Sequence, residues 1–199
     1  MSNKLLLTEF IELAPNRDLL TEEEKKRMDE GEAIYLAGVM QRAGATNGNG
    51  RVYPLDILKR EVENYKKIVR EGRSVGELDH PESSVVELKN TSHIVTEIEM
   101  DGNDVIGKIK LLETAAGKTA IELLRGGVKL GISSRGLGST RNEGSKTIVE
   151  DDFQLICFDL VSEPSTTGAF MLREGKEPNI FTKADKINRI LNDILSHEK

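Results

Sequence analysis

Tryptophan is absent and aromatic residues make up only 4% of the chain, so base-stacking platforms and aromatic sugar sites have little to be built from. Cys157 is the only cysteine, which rules out an intrachain disulfide and a cysteine zinc cluster and suits a reducing cytoplasm. Basic residues are not in excess. Lys plus Arg is 28 against 34 Asp plus Glu, a formal charge of −6, and the electrostatic footprint of a nucleic-acid-binding protein is missing. No apolar run approaches the ~20 residues that cross a bilayer. The N-terminus also lacks a basic stretch leading into an apolar core and a small-residue cleavage site. The expectation is a soluble, non-exported protein without a membrane partner. What is present, 199 residues with 37% hydrophobic and 31% charged side chains, suffices for one globular domain with tails.

Residues 1–31 are acidic and polar around a small apolar island, Leu5 to Leu7, and read as a mobile or loosely docked arm; Thr21 and Glu24 have capping-box spacing. Ile34 to Met40 is the first apolar stretch of strand length, and the Gly/Asn-rich run 44–50 breaks the chain after it. Pro54 then opens a helix whose Leu55, Leu58, Val62, Tyr65 and Val69 recur at three and four residues, with Gly72 past its end. A hairpin follows, with strands near 94–100 and 105–112 around the turn residues 101–104. A short helix over 119–125 stops at Gly126-Gly127. Val128 to Ser134 alternates as a strand before a Gly-rich loop, and 146–149 and 153–161 read as two more strands. Residues 183–195 form an amphipathic helix with Thr182 as N-cap. Without regular β-α alternation, the fold class is α+β with a mostly antiparallel sheet or barrel. The chain divides into the arm (1–31), a core domain (32–175) and a C-terminal helix and tail (176–199).

Three places can carry chemistry. His80 lies in Gly76-Glu77-Leu78-Asp79-His80-Pro81, flanked by carboxylates and held by a proline; a plain surface histidine is the competing reading. His93 reads as structural and His197 lies in the tail. In the strand 128–134, period-two alternation puts Ser133 with Lys129, Gly131 and Arg135 on the polar side. A serine hydroxyl needs a histidine to take its proton, and main-chain N–H groups of the following glycine-rich run, with Arg135 nearby, suit a developing oxyanion. A Ser/Gly turn is the alternative. Asp159 interrupts the apolar run Phe153 to Val161, and an ionised carboxylate there costs several kcal/mol unless paired. Either a histidine to be oriented or a Lys/Arg ion pair would satisfy it. Cys157 beside it reads as a small buried apolar residue. Ala116-Gly117-Lys118-Thr119 imitates the end of a phosphate loop, but the position that needs the first glycine is Leu112, so nucleotide binding through Lys118 is disfavoured. Asp79, His80 and Glu82 lack the paired spacing of a metal site, and no cofactor is expected.

Four segments, taken in order, resemble the T-even-type branch of tailed-phage prohead proteases. They are Asn47-Gly-Asn49-Gly-Arg51-Val-Tyr53-Pro54, the 76–81 segment, Gly131-Ile-Ser133-Ser134-Arg135-Gly136-Leu-Gly138-Ser139, and Phe158-Asp159-Leu-Val161-Ser-Glu163-Pro164-Ser165. The resemblance implies a serine endopeptidase with a small β-barrel flanked by helices, similar in fold to herpesvirus assemblins. Carried over by position, Ser133 would be the nucleophile and His80 the general base. Asp159 is the choice for the third member, with Glu163 and Asp79 as alternatives. Ser134, Arg135 and Gly136 are expected at the oxyanion and substrate positions.

The same resemblance implies the task of cutting scaffold and major capsid proteins, and the chain itself, inside an assembling prohead in the bacterial host cytoplasm. A homo-oligomer is a further expectation. A preference for Glu at P1 with Leu or Ile two residues earlier nominates four self-cleavage sites. These are Leu7-Thr8-Glu9, Leu20-Thr21-Glu22, Leu111-Leu112-Glu113 and Ile148-Val149-Glu150, of which the two in the arm are the more accessible. A cation to read that glutamate is expected at Arg135, Lys129 or Arg141. The competing class is an assembly protein that binds scaffold without turnover.

Overall fold

The computed structural model describes residues 5–11, 16–81 and 83–162. The described residues form ten strands and three α-helices: β1 Leu5–Ile11, α1 Glu22–Asp29, β2 Tyr35–Arg42, β3 Arg51–Val52, α2 Leu55–Arg70, β4 Val75–Glu77, β5 Thr91–Asp101, β6 Asp104–Leu111, α3 Ala115–Arg125, β7 Gly131–Gly138, β8 Thr140–Glu143, β9 Lys146–Val149 and β10 Gln154–Val161. The expected helix 183–195, its cap Thr182, and Glu82, Glu163, Pro164, Ser165 and His197 lie outside the described residues.

The α+β class holds, and all pairings but one are antiparallel; β3 runs parallel to β9. The expected barrel does not form among the described residues. Three open sheets are present, ordered β1-β7-β10, β2-β6-β5-β4 and β3-β9-β8. The physical reason is the shortness of β4. Its main-chain pairing with β10 is limited to the Leu78–Leu160 bridge and the Asp79 N–H bonded to the Leu160 carbonyl at 2.7 Å, so no continuous wall closes. That junction is nevertheless what brings the segment after β4 against β10.

The core lies between α2 and the two larger sheets. Ile57, Leu58, Val62 and Tyr65 of α2 are buried against β5 and β10, and Tyr65 meets the Phe158 ring edge-on at 5.6 Å. Pro54 caps this helix, and Gly72 follows it with φ +67°, a conformation that costs a side-chain-bearing residue more than glycine. Bulges shift the burial phase along the strands. The one in β5 between Val95 and Glu97 buries Val95 and Ile98 rather than an unbroken alternate set.

Parts of the 1–31 segment have defined places. Thr21 and Glu24 form the expected reciprocal capping box, and Glu24 also meets the buried Lys108 ammonium at 3.2 Å. Leu5–Ile11, which is too short an apolar island to stand out in the sequence, is a strand against β7, with Leu7 fully buried.

Two further differences from the sequence reading have local causes. Helix α3 starts at Ala115, because Thr114 accepts the Gly117 N–H as N-cap. A Cβ on Gly117 would fall 1.9 Å from the Leu112 carbonyl oxygen, so this glycine serves close helix–strand packing and no phosphate loop exists there. Finally, 135–138 is not a loop but the second half of β7. Gly136 and Gly138 continue the strand beneath Phe153, whose ring would lie 2.5 Å from a Cβ at position 136.

Candidate active site

Strand alternation turns Ser133 to the face of β7 that looks toward the β4 side of β10. The register pairs Ser133 with Asp159 on β10, and the residues after β4 pass over this pair. Asp79 has φ +66°, the one left-handed non-glycine residue among those described, and this turn delivers His80 into the site. His80 Nε2 lies 2.6 Å from Ser133 Oγ and its Nδ1 lies 2.9 Å from Asp159 Oδ2. The three groups expected from the sequence thus meet in the order hydroxyl, imidazole, carboxylate. Asp79 is not a partner of the imidazole.

Asp159 is completely buried and satisfied from several directions. Its Oδ1 accepts the Glu77 main-chain N–H at 3.0 Å and lies 3.2 Å from Arg135 Nη2. Oδ2, besides facing His80, is 2.8 Å from Arg135 Nε in an ion-pair contact that is off the hydrogen-bonding direction. Burial alone would push the Asp159 carboxyl up. The bonds from His80 and the Glu77 N–H, together with the Arg135 charge, outweigh it and hold the group below the usual carboxylate range. The sequence reading left open whether a histidine or a cation pairs with this aspartate, and both do.

Arg135 lies elsewhere than expected. Its side chain is fully buried, and Nη2 also reaches Glu77 Oε2 at 2.5 Å while Nη1 donates to the Ser83 carbonyl at 2.6 Å. Burial works against the guanidinium charge, yet the flanking Asp159 and Glu77 carboxylates raise its pKa above the ordinary arginine value. It therefore faces the carboxylate cluster and not a bound peptide. The physical reason is that two buried carboxylates cannot remain charged without a cation between them. Ser134 is buried with a hydroxyl that has no partner among the described residues, leaving its main-chain N–H as what it can offer. Gly136 is committed to packing under Phe153. Lys129 precedes β7, and Arg141 is exposed on β8 beside Glu143. Burial pushes the Cys157 thiol up, so it stays protonated and unreactive.

The sequence matches the family model described as "Prohead core protein serine protease" over residues 8–180. The chain belongs to that family. A "Prohead core protein protease" of Enterobacteria phage T4 is 33% identical over 163 residues, 76% of each chain. A solved structure of the bacteriophage T4 capsid assembly protease is similar in fold, with a TM-score of 0.69 at 27% identity, covering 81% of this chain and 99% of that one.

Two features of this prohead core protease escape a sequence reading. Glu77 bonds Arg135 and also accepts the Glu87 N–H at 3.1 Å, pinning the far end of the loop that carries His80. Its signal was available: a carboxylate just before the histidine and an arginine on a buried strand face each require a partner. The second is the strand β1 itself, whose Thr8 carbonyl receives Asn49 Nδ2 at 3.0 Å and Arg51 Nη1 at 3.2 Å. No local pattern announces that pairing.

Proposed function

We propose that this protease is a serine endopeptidase in which Ser133 is the nucleophile, His80 the general base and Asp159 the group that orients it. The observation that carries this reading is the pair of contacts at 2.6 and 2.9 Å on the two nitrogens of one imidazole. His80 Nε2 takes the Ser133 proton as Oγ attacks the scissile carbonyl, forming a tetrahedral adduct. The imidazolium then passes that proton to the departing amine. Water, deprotonated by the same nitrogen, hydrolyses the acyl-enzyme and restores the hydroxyl. The Ser134 main-chain N–H is the donor proposed for the oxyanion, a contact worth about 3 kcal/mol in related chemistry.

The strand β1 supports a self-cleavage site between Glu9 and Phe10. Its register sets Phe10 opposite Ser133 and Glu9 opposite Ser134. In an antiparallel pair, main-chain groups face the partner at alternate residues. The Thr8 carbonyl is turned away from β7, to Asn49 and Arg51, so the carbonyl of residue 9 faces the Ser134 N–H. The other three candidate sites are poorer. Thr21 and Glu22 are the cap and first residue of α1, while Leu111 and Val149 are buried in strands.

Substrates in trans are scaffold and capsid proteins of the phage prohead, with Glu at P1 and Leu or Ile at P3, cut inside the assembling particle in the host cytoplasm. The names of the phage T4 relatives support the prohead setting, and the P1 and P3 preference is what the family resemblance implies. In the chain's own strand the P3 residue is Leu7, fully buried, which fits an apolar requirement there. The test is intact mass after prolonged incubation at high concentration. The wild-type chain should lose residues 1–9 and Ser133→Ala should not; equal masses in the two would overturn the reading.

A further inference from the structure

A peptide bound in the register of β1 has one main-chain edge on β7 and the other toward the turn 47–51. That turn is rigidly built. Asn47 Oδ1 accepts the N–H groups of Asn49 and Arg51 at 3.0 and 2.9 Å. Gly50 closes it with φ +74° and donates its N–H to the Asn47 carbonyl at 3.0 Å. The Gly50 carbonyl in turn accepts the Thr147 N–H, tying the turn to β9. From this base Asn49 and Arg51 project side by side onto one carbonyl, that of Thr8. Thr8 immediately precedes Glu9, so the guanidinium of Arg51 sits one residue from the acyl side of the bond to be cut.

We infer that Arg51, assisted by Asn49, is the residue that selects glutamate at P1: the pair clamps the P2 carbonyl, and the guanidinium binds the neighbouring P1 carboxylate. This rests on the serine-endopeptidase reading and its Glu9–Phe10 site. Arginine suits both tasks at once, because its planar fork offers five donors in fixed directions and its charge never titrates. Of the cations nearer to Ser133 in sequence, Arg135 is consumed by Glu77 and Asp159, Arg141 is exposed beside Glu143 of its own strand, and Lys129 lies outside the stretch of β7 that pairs with β1. The P2 contact is to the main chain and independent of sequence. The P1 contact is to a charge, and it distinguishes Glu from Gln.

The experiment is a double-mutant cycle on the rate of loss of residues 1–9 in the full-length chain, using wild type, Glu9→Gln, Arg51→Gln and the double variant. In the wild-type background Glu9→Gln should slow cleavage about thirtyfold, the loss of one charge-assisted pair. In the Arg51→Gln background, where the clamp is already weakened, the same change should cost less than about threefold. Additive effects, with Glu9→Gln costing the same in both backgrounds, would overturn the assignment of Arg51. Should Arg51→Gln fail to fold, Arg51→Lys takes its place in the cycle. It keeps the charge without the fork and is expected to give an intermediate coupling; zero coupling there counts against the inference equally. A wild-type chain that never loses residues 1–9 would defeat the endopeptidase reading itself, an outcome distinct from additivity.

Discussion

Arg135 Nε and His80 Nδ1 address the same oxygen of Asp159, at 2.8 and 2.9 Å. The aspartate is therefore a shared acceptor between a permanent cation and an imidazole that becomes cationic in the proposed mechanism. With Glu77 and Asp159 as carboxylates and Arg135 as guanidinium, the buried cluster carries one negative charge more than positive. In the mechanism proposed above, the proton that His80 takes from Ser133 puts positive charge on a ring 2.9 Å from Asp159 Oδ2 as the transition state forms.

Asp159→Asn should leave a folded protein and lower kcat/KM by about four orders of magnitude, because an amide can hold the imidazole in the wrong tautomer and offers no charge to the imidazolium. Cleavage of a peptide spanning residues 3–14 measures it. A loss of less than tenfold would mean that a different group orients His80.

Arg135→Met removes the only cation in contact with the Glu77 and Asp159 carboxylates among the described side chains and should cost about 3–5 kcal/mol in urea unfolding. Adding Glu77→Gln to that variant relieves one of the two stranded charges and should return part of the loss. If the single variant unfolds at the wild-type midpoint, the cluster contributes nothing to stability.

His93 provides a pH dependence of stability. Its ring is wholly buried and bridges Ser92 Oγ and the Phe158 carbonyl; burial lowers its pKa from 6.5 to about 4. Between those values the unfolded chain binds a proton that the folded one does not, so stability falls as pH drops from about 6.5 toward 4, by a total of about 3 kcal/mol. Asp159, whose folded pKa is depressed, adds a second loss only below about pH 4. Chemical denaturation at pH 7 and pH 5 should show the first decline, and His93→Gln should flatten it.

Gly76→Ala tests the junction that carries His80. The added methyl would stand 1.9 Å from the Phe158 carbonyl oxygen and 2.4 Å from His93 Nε2. Strand β4 must shift away from β10 to admit it, at about 1–3 kcal/mol. Because Glu77 and His80 follow directly, kcat should fall together with the thermal midpoint.

The helix α2, the β5–β6 hairpin and the burial of Asp159 were legible because each depends on local periodicity or on the cost of an unpaired charge. Ser133 was placed correctly on its polar strand face by alternation. The misreading of 135–138 as a loop has a specific cause. A glycine-rich stretch looks like a loop when the ring that needs the space, Phe153, is supplied from a different part of the chain. Arg135 was expected to face the substrate because its partner Glu77 lies 58 positions away, beyond any local pattern. Strand β1 was missed for the same reason: three leucines do not make a strand until β7 provides a ladder for them.

Since β10 permanently occupies one flank of β7, the other flank is bare whenever the first strand departs. An unpaired ladder beside a reactive hydroxyl adheres to any extended chain that can match its hydrogen bonds. If the proposed cut after Glu9 releases that strand, the bared edge is adhesive by construction, and an extended scaffold segment can supply the companion strand in its place.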